Sequence, residues 1–102
     1  MKIYDYQGKK NVSGERIREA RLKRRLTQAD FAARLQVAGI TIERDSVSRI
    51  EIGTRFVADF ELMIIAKILD VSVDWLLGED KPEHWPPLIR WFIFFLNRLT
   101  IY

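Results

Sequence analysis

A chain of 102 residues has room for one compact domain and a short extension. With 48% hydrophobic and 30% charged residues it can bury a core and need not be disordered, and with no cysteine it excludes disulfides and cysteine-based zinc sites. The net charge of +3 is uneven: residues 1–58 hold thirteen Lys/Arg against seven Asp/Glu, residues 59–87 hold two against seven, and the last fifteen add Arg90 and Arg98. A basic front and an acidic back suit a protein with one side facing a polyanion, although an ordinary solvated surface would look the same. Residues 1–10 are polar and basic, without the apolar stretch of a secretory leader, so the expected compartment is the cytoplasm.

In chain order, residues 1–12 read as a loosely held basic arm carrying Lys9 and Lys10. Ser13 is placed to cap a helix running to about Arg25, with Glu15 in its first turn. The inward stripe of that helix is Ile17, Ala20 and Arg21, with Leu22 and Arg24 nearby, and an arginine facing inward is unusual. Thr27 opens a second helix as hydroxyl cap, with Asp30 as the acidic half of a capping box. Phe31, Ala32 and Leu35 form its apolar face. Gly39 breaks the run, and Gly39-Ile40-Thr41-Ile42 reads as a turn. A third helix starts at Glu43 or Arg44 and ends near Ile52 and Gly53, the glycine suiting a terminus that needs positive φ. Its apolar positions are Val47 and Ile50, with Ile52 as a third.

A fourth helix runs from about Asp59 to Leu69 and buries Leu62, Ile65, Ala66 and Leu69. Ser72 caps a short fifth helix containing Val73, Trp75, Leu76 and Leu77, stopped by Gly78. Residues 79–87, with three prolines, form a linker, and residues 88–102 are a very apolar helix. The expected fold class is therefore all-α: a five-helix domain over residues 13–78 with an added C-terminal helix.

The informative unit is the second helix, the turn and the third helix. The major groove of DNA is about 12 Å wide and admits one α-helix, so a reading helix must be short, polar outside and braced from behind. Ala32 is small where the third helix would cross the second. With only Val47 and Ile50 as clear anchors, Arg44, Asp45, Ser48 and Arg49 are free to reach bases. The start of the second helix, at Thr27 and Gln28, offers backbone N–H groups suited to a phosphate.

Leu26-Thr27-Gln28-Ala29-Asp30-Phe31-Ala32 resembles the LTQxxLA opening of the phage Cro/repressor (Xre) family. Val47-Ser48-Arg49-Ile50-Glu51-Ile52-Gly53 resembles its ISxIExG, and Leu69-Asp70-Val71-Ser72-Val73-Asp74-Trp75-Leu76-Leu77 its LGVSVDWLL. The three motifs stand in the family's order and spacing. The resemblance implies a five-helix, repressor-like DNA-binding domain acting as a dimer on two half-sites. It puts Arg44 and Asp45 at the base-contacting start of the recognition helix and Arg49 at its later base contact. It puts Gln28, Thr54 and Arg55 at phosphate-contacting positions, and pairs Arg21 with Glu51 as an internal ion pair. The chain departs from the pattern in a longer link at residues 36–42, in an acidic Asp45, and in Ala58 where a capping Ser or Thr is frequent, which leaves Asp59 to cap.

Several side chains carry two readings. Arg49 reads a base or clamps a phosphate; Arg44 is a candidate base reader on the same face; Asp45 accepts from cytosine N4, or else caps its helix or is solvated. Lys9, Lys10, Lys23, Arg24 and Arg25 read as a diffuse positive field, with a specific contact by the arm as the alternative, and Trp75 reads as core. His84 has no second ligand at metal spacing, Glu79 and Asp80 are adjacent rather than opposed, and no glycine-rich phosphate loop occurs, so neither catalysis nor a metal or cofactor is expected. Leu88, Trp91, Phe92, Phe95 and Leu99 recur at helical spacing in a tail too short to cross a bilayer, which needs about 20 apolar residues. A partner subunit, the chain's own body or a membrane surface would cover it, and dimerisation is the favoured reading. The function expected is a double-stranded DNA-binding repressor, homodimeric on its operator. The alternatives are an antitoxin whose tail covers a toxin, and an interaction or membrane-peripheral protein working through the tail.

Overall fold

The computed structural model describes residues 5–78 and Leu96; the expected linker at 79–87 and the tail positions Leu88, Trp91, Phe92, Phe95 and Leu99 lie outside the described residues. Within them the fold is all-α. The helices are α1 (Gly14–Lys23), α2 (Gln28–Val37), α3 (Arg44–Ile52), α4 (Asp59–Leu69) and α5 (Val73–Leu77). Their apolar stripes meet in one core: Ile17 and Ala20 of α1, Phe31, Ala32 and Leu35 of α2, Val47 and Ile50 of α3, Leu62, Ile65, Ala66 and Leu69 of α4, and Leu76 of α5. α3 packs against both α1 and α2, while α4 closes the far side against α1, α2 and α5.

Local chemistry sets most helix ends. Thr27 Oγ1 accepts the Asp30 N–H at 3.0 Å and the Asp30 carboxylate accepts the Thr27 N–H at 3.1 Å, a complete capping box on α2. Ser72 Oγ accepts the Trp75 N–H at 3.0 Å to start α5. α3 closes on Gly53 at φ 98°, with the Thr54 N–H donating back to the Arg49 carbonyl at 2.9 Å. The same closure ends α1 and α4, but with Arg25 and Asp70 in the left-handed region, where a side chain costs about 1–2 kcal/mol.

Two caps differ from expectation. Ser13 is buried and its side chain caps nothing; its Oγ–H donates to Asn11 Oδ1 at 3.3 Å, and its N–H donates to the same oxygen at 3.1 Å. Asn11 can take that role because its amide nitrogen is fixed by the Ile50 and Arg55 carbonyls at 3.1 and 2.8 Å. At α4 Glu61 reaches back to accept the Ala58 N–H at 2.9 Å, while Asp59 accepts only the Phe60 N–H.

Three apolar assignments also shift. Ile52 is 64% exposed because Glu51, its neighbour, takes the inward place; Leu22 is exposed as well. Trp75 is half-buried at the rim of the core, with the Arg16 guanidinium 4.8 Å and the Lys23 ammonium 5.9 Å from its ring centroid. A cation over an indole face is favourable, and it keeps that face at the surface.

Candidate nucleic-acid interface

The interface is built on α2, the link and α3. The link, longer than the family's tight turn, is not a slack loop. Gly39 turns the chain at φ 95°, Ile40 and Ile42 both enter the core, and Thr41 between them points outward. Gln36 Nε2 donates to the Ile42 carbonyl at 2.6 Å, pinning the end of α2 to the entry of α3. The extra residues thus add two core anchors to the bracket, and these hold α3 against α2.

Behind α3 stands α1. Arg21 and Glu51 meet in a bidentate pair, Nε to Oε2 at 2.6 Å and Nη2 to Oε1 at 3.0 Å, with side chains 7% and 2% exposed. Arg21 Nη1 also donates to the Leu26 carbonyl at 2.7 Å, and Gln28 Nε2 donates to Glu51 Oε1 at 3.1 Å. One buried carboxylate therefore ties together α1, the start of α2 and α3, and every donor around it has a partner, as a buried charge requires. The backbones come close enough that a Cβ on Gly14 would collide with the Ile50 and Glu51 carbonyl oxygens, so α1 meets the end of α3 at the only residue type without one.

With Val47, Ile50 and Glu51 buried, α3 presents Arg44, Asp45 and Arg49 to solvent and Ser48 at its edge. Among the described residues none of these four side chains is held by a hydrogen bond or an ion pair. Thr54 is exposed at the end of α3, its hydroxyl donating to the Arg49 carbonyl at 3.4 Å. Thr27 is exposed at the start of α2.

Two of the expected phosphate contacts have internal partners that the sequence did not show. Gln28 is committed in part to Glu51. Arg55 donates through Nη1 and Nη2 to Glu61 at 3.3 and 3.2 Å, and through Nη1 to the Phe56 carbonyl at 2.8 Å. Burial works to raise the Glu61 carboxyl, but Arg55 and the Ala58 N–H outweigh it and hold the pKa below the ordinary value. Nor is Arg24 simply part of a diffuse field: Nε donates to the Leu69 carbonyl at 3.0 Å and Nη2 pairs with Asp70 at 3.2 Å, joining the ends of α1 and α4. Asn11 and Gly14 are supporting positions that sequence reading missed, since each acts on residues more than thirty positions away.

A short polar helix, braced from behind by two others and carrying unpaired side chains outward, is the helix-turn-helix arrangement that docks on DNA. The helix-turn-helix family model matches residues 17–76; the chain belongs to that family, in its Xre/Cro-like form, and is a DNA-binding transcriptional regulator. Searches among curated proteins and among solved structures gave no match. No helix among the described residues is long and apolar enough to cross a membrane.

Proposed function

We propose that this protein is a sequence-specific repressor that lays α3 in the major groove of a two-fold operator as a homodimer. The observation that carries the reading is the outward face of α3: Arg44, Asp45, Ser48 and Arg49 stand unpaired on a helix whose backbone is fixed by the Arg21–Glu51 pair and the Gln36 staple. Preordered backbone with free side chains is what base readout needs. Arg49 and Arg44 are the base readers suited to guanine, Ser48 donates or accepts beside them, and Asp45 accepts from a cytosine N4. Thr27, Thr54, the α2 N-terminal N–H groups at Gln28, and the guanidinium N–H groups of Arg55 not taken by Glu61 contact phosphates. Repression follows from occupancy, since a bound dimer excludes other proteins from the same duplex.

The test begins with selection of bound duplexes from a random pool. Against the selected site, Arg49→Ala should cost about 1–3 kcal/mol while leaving binding to random duplex nearly unchanged. For wild type, neutralising about six phosphates gives a slope of log K against log salt near −5. Equal losses on selected and random DNA would make Arg49 a phosphate clamp, and salt-insensitive binding would overturn the reading. The apolar residues 88–102 support the homodimer, and equally suit an antitoxin that represses its own operon while covering a toxin. A toxin copurifying in a stoichiometric complex would favour the second reading.

A further inference from the structure

We propose that the segment before α1 is a clip that docks on the end of the recognition helix and presents Lys10 as an additional phosphate contact flanking the half-site; this rests on the DNA-binding reading above. Residues 6–9 form a tight two-residue hairpin. Tyr6 and Lys9 exchange backbone bonds at 2.7 and 3.0 Å, with Gln7 and Gly8 both at positive φ, 53° and 80°. That pair of angles matches the turn whose twist suits a hairpin. The chain leaving it is stitched to α3: the Lys10 N–H donates to the Gly53 carbonyl at 2.7 Å, and the Asn11 amide donates to the Ile50 and Arg55 carbonyls. Residues 9–11, expected to hang loosely, are therefore registered against the C-terminus of α3.

This docking separates the two lysines. Lys9 lays its methylenes against Gly53, where an added Cβ would lie 3.2 Å from its Cγ and Cδ, and its ammonium pairs with Glu15 at 3.4 Å. Lys10 points the other way, exposed, with Nζ 5.6 Å from the centroid of the Phe56 ring. It lines one shallow depression with Arg49, Thr54, Arg55, Phe56 and Glu61. The one carboxylate there, Glu61, is taken up by Arg55 and by the Ala58 N–H, so the ammonium of Lys10 and the guanidinium of Arg49 remain without an ion-pair partner among the described residues. An aromatic face steadies the lysine without neutralising it. Beside Arg49, which is left to the bases, the depression thus gathers a hydroxyl and a guanidinium from the loop after α3 and a cation from a segment that precedes residues 17–76, the part matched by the family. A backbone phosphate is the ligand this chemistry fits, since it accepts from point charges and hydroxyls without regard to base.

The experiment compares full-length wild type, Lys10→Gln and Lys23→Gln by fluorescence anisotropy on a selected and a random duplex across a salt series. Loss of one neutralised phosphate should make the log–log slope shallower by about 0.9 and, at about 0.15 M salt, weaken binding about fivefold on both duplexes alike. Lys23→Gln, at the Trp75 ring on another face, should keep the wild-type slope, and the thermal midpoint of Lys10→Gln should match wild type. A steep wild-type slope that Lys10→Gln retains overturns the Lys10 assignment alone, as does a loss confined to the selected duplex. No salt-dependent binding by wild type overturns this inference together with the DNA-binding reading.

Discussion

Arg21 owes its place to Glu51. An arginine on the inward stripe of α1 would be intolerable alone, and the bidentate carboxylate, with the Leu26 carbonyl, satisfies the donors that burial would orphan. Removing one partner strands the other, so Glu51→Ala should lower unfolding free energy by about 3–5 kcal/mol in urea titration. Glu43→Ala, on the exposed cap of α3, should change it by no more than about 0.5 kcal/mol. Comparable losses from both substitutions would show that the pair does not fasten the helices. The inward arginine was legible from its spacing alone, and the resemblance supplied its partner. Gly14 and Asn11 were not legible, because a glycine at a helix start and an asparagine before it carry no signal of the carbonyls they meet in α3.

Two carboxyls at helix ends couple folding to pH. The backbone and hydroxyl of Thr27 hold the Asp30 carboxyl below its ordinary pKa, with Arg34 a smaller contribution in the same direction, and Glu61 is held low through Arg55 and Ala58 against the opposing effect of burial. Carboxyls that titrate lower when folded contribute stability that is complete above the ordinary value of about 4 and is lost as pH falls through the folded value. Glu61→Gln removes one such group, so between about pH 5 and pH 3 its thermal midpoint should fall less than that of wild type. Parallel acid limbs for the two proteins would exclude Glu61 from that response. The capping box at α2 was readable because its partners are three residues apart. The Arg55–Glu61 pair joins a loop to the next helix, and its geometry depends on how α4 packs.

At the scale of the whole molecule, part of the basic front has a location: Arg44 and Arg49 stand on α3, and Arg55 and Lys10 lie beside Arg49 in one depression. Assembly is the remaining large-scale property, and we propose that the apolar sequence of residues 88–102 supplies the dimer seam. Leu88, Trp91, Phe92, Phe95 and Leu99 each contribute about 1.5–3 kcal/mol if fully buried, enough across two chains to offset association costs of about 4–15 kcal/mol. Deleting residues 86–102 should therefore turn a dimer into a folded monomer in light scattering at equal concentration, with weak binding to a half-site. A truncated chain that still dimerises fully, or a full-length chain that is monomeric, would assign the tail another role.

What the sequence determined by itself is what depends on near neighbours. Apolar residues three and four apart fixed the buried faces of α2 and α4, Thr27 with Asp30 and Ser72 fixed two helix starts, and Gly53 fixed the end of α3. Beyond near neighbours, three ordered motifs placed the helix-turn-helix by resemblance to its family. Tertiary structure alone decided which distant partner these polar side chains found: Gln28 with Glu51, Arg55 with Glu61, Arg24 with Asp70, Asn11 with the Ile50 and Arg55 carbonyls. It also turned Ile52 outward and drew Ile40 and Ile42 inward. The physical reason is one of range. A helix and its caps are closed by bonds within a turn, whereas these side chains reach across to backbone and carboxylates from other elements, and only packing sets where those stand.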